Sequence, residues 1–149
     1  MPTLQQSVLV MLVEDDDGHC LLIRESLKTS GIAHEIIEMR DGEQALDYLT
    51  QRGQYRDPAK SPRPDLILLD IKMPKVDGFT VLEKVKASPK LRAIPVLILT
   101  STDDQAEVNR CYALGANSYV VKPVRYEEFQ ERIRALGRFL DATRFPDQR

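Results

Sequence analysis

Cysteine is scarce in this chain. Only Cys20 and Cys111 occur among 149 residues, and both fall inside helical patterns. Two thiols so placed make no disulfide framework, and they suit a reducing, cytoplasmic setting. Long apolar runs are also missing: no stretch approaches the roughly 20 residues needed to cross a bilayer. The opening Met1-Pro2-Thr3-Leu4-Gln5-Gln6 has neither the basic start nor the small-residue cleavage site of a secretion signal. Excess charge of one sign is lacking too, since 21 Lys and Arg stand against 23 Asp and Glu, a net charge of -2. That balance gives no general attraction to nucleic acid or to an anionic membrane. Neither a low-complexity tract nor an internal linker is visible. With 42% hydrophobic residues, the expectation is one domain over 1–149, with a core of about 8–140 and a tail, 141–149.

Five strand–helix repeats are present. Val8 to Val13 is a nearly continuous apolar strand, and Cys20, Ile23 and Leu27 follow at helical spacing before Gly31. His34 to Met39 is a short second strand; Asp41-Gly42 turns the chain, and Ala45, Leu46 and Leu49 give the next helix its apolar face. A third strand spans about Asp65 to Leu69, with Val81, Leu82 and Val85 marking a helix behind Gly78. Val96 to Leu99 is the fourth strand, and its helix carries Val108, Cys111 and Tyr112. Ser118 to Val121 is the fifth, and a last helix runs from about Arg125 to Thr143. Strands alternating with amphipathic helices predict an α/β fold: a five-stranded parallel sheet with helices on both faces. One segment breaks the rhythm. Residues 52–64 are polar, hold three prolines and exceed the usual helix–strand connection of about two to six residues. They read either as a solvated surface insert or as a loop that contacts a partner.

Chemistry gathers where the strands end. The first strand runs into Glu14-Asp15-Asp16-Asp17, the third into Asp70, the fourth into Thr100 and the fifth into Lys122. In open parallel sheets the rim at the strand carboxyl ends is where ligands bind. Two carboxylates about 4 Å apart repel by roughly 4 kcal/mol at an effective dielectric near 20. An ionised cluster there calls for a cation, and carboxylates with a carbonyl and water suit Mg²⁺. A second reading stays open: Asp16 and Asp17 as caps of the first helix, stabilised by its positive end. A cation beside a lone aspartate suggests phosphoryl transfer. Asp70 would be the nucleophile forming an acyl phosphate, while Lys122 and Thr100 would bind other phosphoryl oxygens.

The segments "VLVMLVEDDD", "PDLILLDIKMPKVDG", "IPVLILTS" and "ANSYVVKP" resemble the response-regulator receiver domains of two-component signalling, over about Val8 to Leu140. The resemblance implies the flavodoxin-like receiver fold and a role for each matching residue. Asp15 would be a direct metal ligand, with Glu14 acting through water. Asp70 would be phosphoacceptor and ligand, and Lys72 would offer its backbone carbonyl to the metal. Thr100 and Tyr119 would be the switch pair, and Lys122 the lysine of the phosphoryl site, with Lys122-Pro123 a cis peptide. The chain departs from relatives at Lys72, often Asn or another polar residue, and at Asp16, where many carry Asn. The first change sets a cation beside the phosphorylation site and bears on acyl-phosphate lifetime. The second adds negative charge near the metal.

The segment "MRDGEQALDYLTQRGQY", the proline-bearing insert and the tail "GRFLDATRFP" resemble stand-alone response regulators encoded with bacterial phytochromes. That likeness implies a phytochrome histidine kinase as phosphodonor; another histidine kinase, or a place inside a phosphorelay, is the alternative. It also implies a homodimer through the last helix and tail. Independently, Tyr126, Phe129, Ile133, Leu136, Leu140 and Phe145 extend an apolar pattern that so small a domain is not expected to bury fully. Phosphorylation would rework the surface of the fourth helix, fifth strand and fifth helix.

Three rivals fit less well. A haloacid-dehalogenase-type phosphohydrolase resembles this pattern at its aspartate, but needs a second aspartate where Lys72 stands. A flavin binder needs a hydroxyl- or glycine-rich phosphate loop after the first strand, where four acids stand instead. A transcription factor needs a further domain that these 149 residues do not contain. The expectation is a phosphoacceptor signalling protein, at most dephosphorylating itself, that binds neither nucleic acid nor membrane. His19 and His34 show no ligand spacing and are read as incidental.

Overall fold

In the computed structural model, residues 7–32 and 34–146 are described. The opening six residues and the last three of the tail lie outside them. The elements run β1 (Val8–Val13), α1 (Asp17–Thr29), β2 (His34–Met39), α2 (Gly42–Leu49), a short 3-10 turn (Gly53–Tyr55), β3 (Leu66–Leu69), α3 (Gly78–Ala87), β4 (Val96–Thr100), α4 (Gln105–Ala113), β5 (Ser118–Val121) and α5 (Tyr126–Ala142). The strands form one sheet in the order β2-β1-β3-β4-β5, and every pairing is parallel. The chain winds outward in both directions from β1 and β3, so the order reverses there and opens a crevice at their carboxyl ends.

The apolar runs of β1, β3 and β4 are continuous because both faces of the sheet are covered. Met11, Val13, Ile67, Leu69, Val96 and Ile98 face the layer of α2, α3 and α4. Their neighbours Val10, Leu12, Leu66, Leu68, Leu97 and Leu99 face α1 and α5. The period of two along a strand sorts them, and full burial of each such side chain stabilises the fold by roughly 1.5–3 kcal/mol. Cys111 lies in the first layer and Cys20 in the second. The sheet stands between them, and burial pushes each thiol up to about 11. Four helices start on aspartates that accept a backbone N–H: Asp16, Asp41, Asp77 and Asp104.

Two expectations need refinement. On α5, Phe129, Ile133 and Leu140 are buried and Leu136 and Phe145 pack against the same layer, but Tyr126 and Phe139 are 58% and 66% exposed. The predicted stripe is core in the middle and open at Tyr126. The 52–64 insert is less detached than its polarity suggests. Tyr55 tilts against Tyr48 at 5.1 Å and accepts from Gln44, while the Tyr48 hydroxyl donates to the Pro62 carbonyl at 2.7 Å. Two tyrosines thus pin it to α2.

Candidate functional site

Strand register assembles the site. Val13 pairs with Leu69 and Thr100 with Val121, so Glu14, Asp70 and Lys122 leave the sheet side by side at its carboxyl edge. Backbone bonds carry the ladders past the strand ends: Glu14 donates to the Met39 carbonyl at 2.9 Å, Asp70 to Val13 at 3.0 Å and Lys122 to Thr100 at 2.7 Å. The helix behind Asp70 comes unusually close. A Cβ on Gly78 would overlap the Asp70 carbonyl oxygen and lie 2.7 Å from the Ile71 Cα. Only glycine lets α3 start there, and this contact fixes the peptide that carries Asp70.

Glu14, Thr100, Lys122 and Asp70 are all buried, whereas Asp15 is exposed at the rim. The Lys122 ammonium pairs with Glu14 Oε1 and lies 3.3 Å from Asp70 Oδ2. The other Asp70 oxygen accepts from the Ile71 N–H at 2.7 Å. Burial pushes the Glu14 carboxyl up to about 7; the Lys122 charge opposes this and Asp70 adds to it. Carboxylate oxygens of Glu14, Asp15 and Asp70 lie within 4.8 Å of one another. Three acids against one lysine leave an uncompensated negative centre in a place of low dielectric. Its all-oxygen donors suit a hard divalent cation such as Mg²⁺, so the residues fit the metal that the sequence implied.

The two readings of the acidic run divide by residue. Asp16 is the N-cap of α1, accepting from the His19 N–H at 3.0 Å, and this bond holds its carboxyl below the usual range. Asp17 pairs with Arg40. Glu14 and Asp15 join Asp70 instead. Lys72 is exposed two positions past Asp70, in the loop that Gly78 closes by donating to the Ile71 carbonyl at 2.8 Å. Tyr119, on β5 beside Ile98, is half-buried and donates its hydroxyl to the Thr102 carbonyl at 2.8 Å. Burial pushes that phenol up to about 12. The sequence-predicted residues thus converge on one edge, with Tyr119 tied to the segment that follows Thr100.

One expectation fails and one residue was missed. No cis peptide occurs among the described residues, so Lys122-Pro123 is trans, the isomer that X–Pro bonds prefer by about 0.5–1 kcal/mol. His19 is not incidental: its Nδ1 lies 3.0 Å from Lys122 Nζ. The available signal was its place three residues after the cap of a helix that begins at the sheet edge, which swings it over the strand ends. His34 Nδ1 lies 2.8 Å from the Ile32 carbonyl oxygen. A cleft of about 320 Å³ between the end of α2, the insert and Lys90-Leu91 contains none of the predicted site residues.

A parallel α/β sheet with an acidic cluster and a buried lysine at its carboxyl edge is the architecture of a receiver module. A family profile described as the response regulator receiver domain matches residues 10–134. The response regulator Rcp1 of Synechocystis is 40% identical over 131 residues, covering 88% of this chain and 87% of that one. A crystal structure of the phosphorylated cyanobacterial phytochrome response regulator RcpA superimposes with a TM-score of 0.89 at 35% identity, covering 95% of this chain and all of the other. The Mn²⁺-bound form of Rcp1 gives 0.88 at 38% identity over 94% of this chain and 99% of that one. The chain belongs to the response-regulator receiver family. Among the described residues, no helix is long and apolar enough to cross a membrane.

Proposed function

We propose that this chain acts as a single-domain, cytoplasmic response regulator that takes a phosphoryl group from a histidine kinase onto Asp70. The carrying observation is the Lys122 ammonium set between Glu14 and Asp70 inside the carboxylate triad. An Asp70 carboxylate oxygen attacks the phosphorus of a phosphohistidine; the P–O bond forms as the P–N bond breaks, and the imidazole leaves with the electron pair. Lys122 binds a phosphoryl oxygen and Thr100 donates its hydroxyl to another. Glu14, Asp15, Asp70 and the Lys72 carbonyl would hold Mg²⁺, which supplies neutralisation of the gathered negative charge.

The switch follows from the same residues. Adding about two negative charges at Asp70 draws Thr100 inward. Tyr119 senses this through its bond to Thr102, changing the surface of α4, β5 and α5. The names of the similar proteins Rcp1 and RcpA support a bacterial phytochrome as kinase; another histidine kinase or a phosphorelay is the second reading. Exposed Phe139, Tyr126 and Val124 support a homodimer through α5 and the tail.

The kinase assignment is tested by phosphotransfer from a panel of autophosphorylated histidine kinases, including a phytochrome kinase in both light states. Rapid transfer from the phytochrome kinase, preferred over the others, is expected. Transfer only from unrelated kinases would transfer the assignment to them, and transfer from none would end it.

A further inference from the structure

Among the described residues, the Lys122 ammonium has three polar contacts: Glu14 Oε1, Asp70 Oδ2 at 3.3 Å and His19 Nδ1 at 3.0 Å. An ammonium has three donors and no acceptor. Nδ1 can therefore meet the ammonium only as an acceptor. The same nitrogen lies 3.7 Å from Glu14 Oε1, the oxygen that Lys122 also meets. His19 is held at both ends. Its backbone N–H donates to the cap residue Asp16, and its ring tilts against Phe129 of α5 with centroids 5.5 Å apart. Phe129 is itself buried in the core layer under α1 and α5.

The three acceptors are not equivalent. Glu14 and Asp70 both belong to the carboxylate triad, so a cation or phosphoryl group entering the triad competes with Lys122 for their oxygens. His19 lies outside that triad. We propose that His19 is a positioning residue: its Nδ1 holds the Lys122 ammonium beside Asp70 while the carboxylates are engaged elsewhere. The proposal rests on Asp70 being the phosphoacceptor. Its physical content is that a flexible four-carbon lysine needs one acceptor that loading does not claim.

Two substitutions separate the acceptor from the ring. His19→Phe keeps an aromatic ring against Phe129 and removes the acceptor; His19→Asn loses the ring but keeps an oxygen near the place of Nδ1. Thermal melts establish that both variants fold. Beryllium fluoride affinity and the rate of labelling by acetyl phosphate are then measured at saturating Mg²⁺, with Mg²⁺ affinity measured separately. His19→Phe is expected to weaken both readouts about tenfold, the loss of one hydrogen bond to a charged group. His19→Asn should stay within about threefold of the parent, since it restores an acceptor for that bond, and Mg²⁺ affinity should be unchanged in both. In the metal-free parent, nitrogen NMR of the imidazole should find Nδ1 bare and Nε2 protonated. Parent-like behaviour of His19→Phe, equal impairment of both variants, or a protonated Nδ1 would overturn the proposal while leaving Asp70 in place. A parent protein that takes up neither acetyl-phosphate label nor beryllium fluoride would overturn the Asp70 reading, and this proposal with it.

Discussion

Glu14 makes the site a source of instability that acid should relieve. The residue is 1% exposed, and burial moves its carboxyl from 4.5 to about 7, with Lys122 pulling the other way. A carboxyl raised on folding binds its proton more tightly in the native state. Its contribution to stability is complete below pH 4.5 and is lost as pH rises through about 7. The full loss is roughly 3 kcal/mol at 1.36 kcal/mol per pH unit, and most of it falls between about pH 5 and 8. Glu14→Gln cannot titrate. In urea melts with chelator present, the parent should lose about 2–3 kcal/mol more than Glu14→Gln between about pH 5 and pH 8. Mg²⁺ at the higher pH should restore stability to the parent and much less to the variant. Parallel pH dependences in chelator would refute the reasoning, because they would mean that the buried carboxyl is not penalised.

Gly78→Ala should destabilise the protein by about 1–3 kcal/mol in a thermal melt and should also slow labelling at Asp70, because the new Cβ presses on the Asp70 peptide; an unchanged melt would mean that α3 can shift freely. Tyr119→Phe removes the hydroxyl bond to Thr102 and should cost about 1 kcal/mol. It should leave acetyl-phosphate labelling intact but shrink the phosphorylation-induced NMR shifts on α4 and α5, whereas full-sized shifts would remove Tyr119 from the switch. Light scattering should give a mass near twice 17.0 kDa, reduced to one copy by Phe139→Glu. A single-copy mass for the parent in both phosphorylation states would contradict the dimer.

Much of this was legible in the residues because a parallel sheet leaves few choices. Leu66 to Leu69 could only be a strand buried on both faces, and whatever followed it, here Asp70, had to emerge at the carboxyl edge. The same logic placed Glu14, Thr100 and Lys122. What stayed hidden depended on helix phase and tertiary contact. Asp16 and Asp15 are neighbours with different tasks, and only the start of α1 at Asp17 decides which one caps and which one joins the triad. His19 reaches Lys122 across 103 positions of sequence, a proximity no local pattern encodes. The stripe on α5 keeps its helical period, but Tyr126 precedes the part that the sheet covers and stays open. The insert looked solvated because its charges dominate its composition. Its hold on α2 comes from two tyrosines and a proline carbonyl.

The central claim is that Asp70 sits in a cation-dependent phosphoryl site. Intact-mass spectrometry after incubation with acetyl phosphate tests it, with and without Mg²⁺, on the parent and on Asp70→Asn. One added phosphoryl group, seen only for the parent and only with Mg²⁺, is the expected result. The same label on Asp70→Asn, or undiminished labelling of the parent in chelator, would contradict the account.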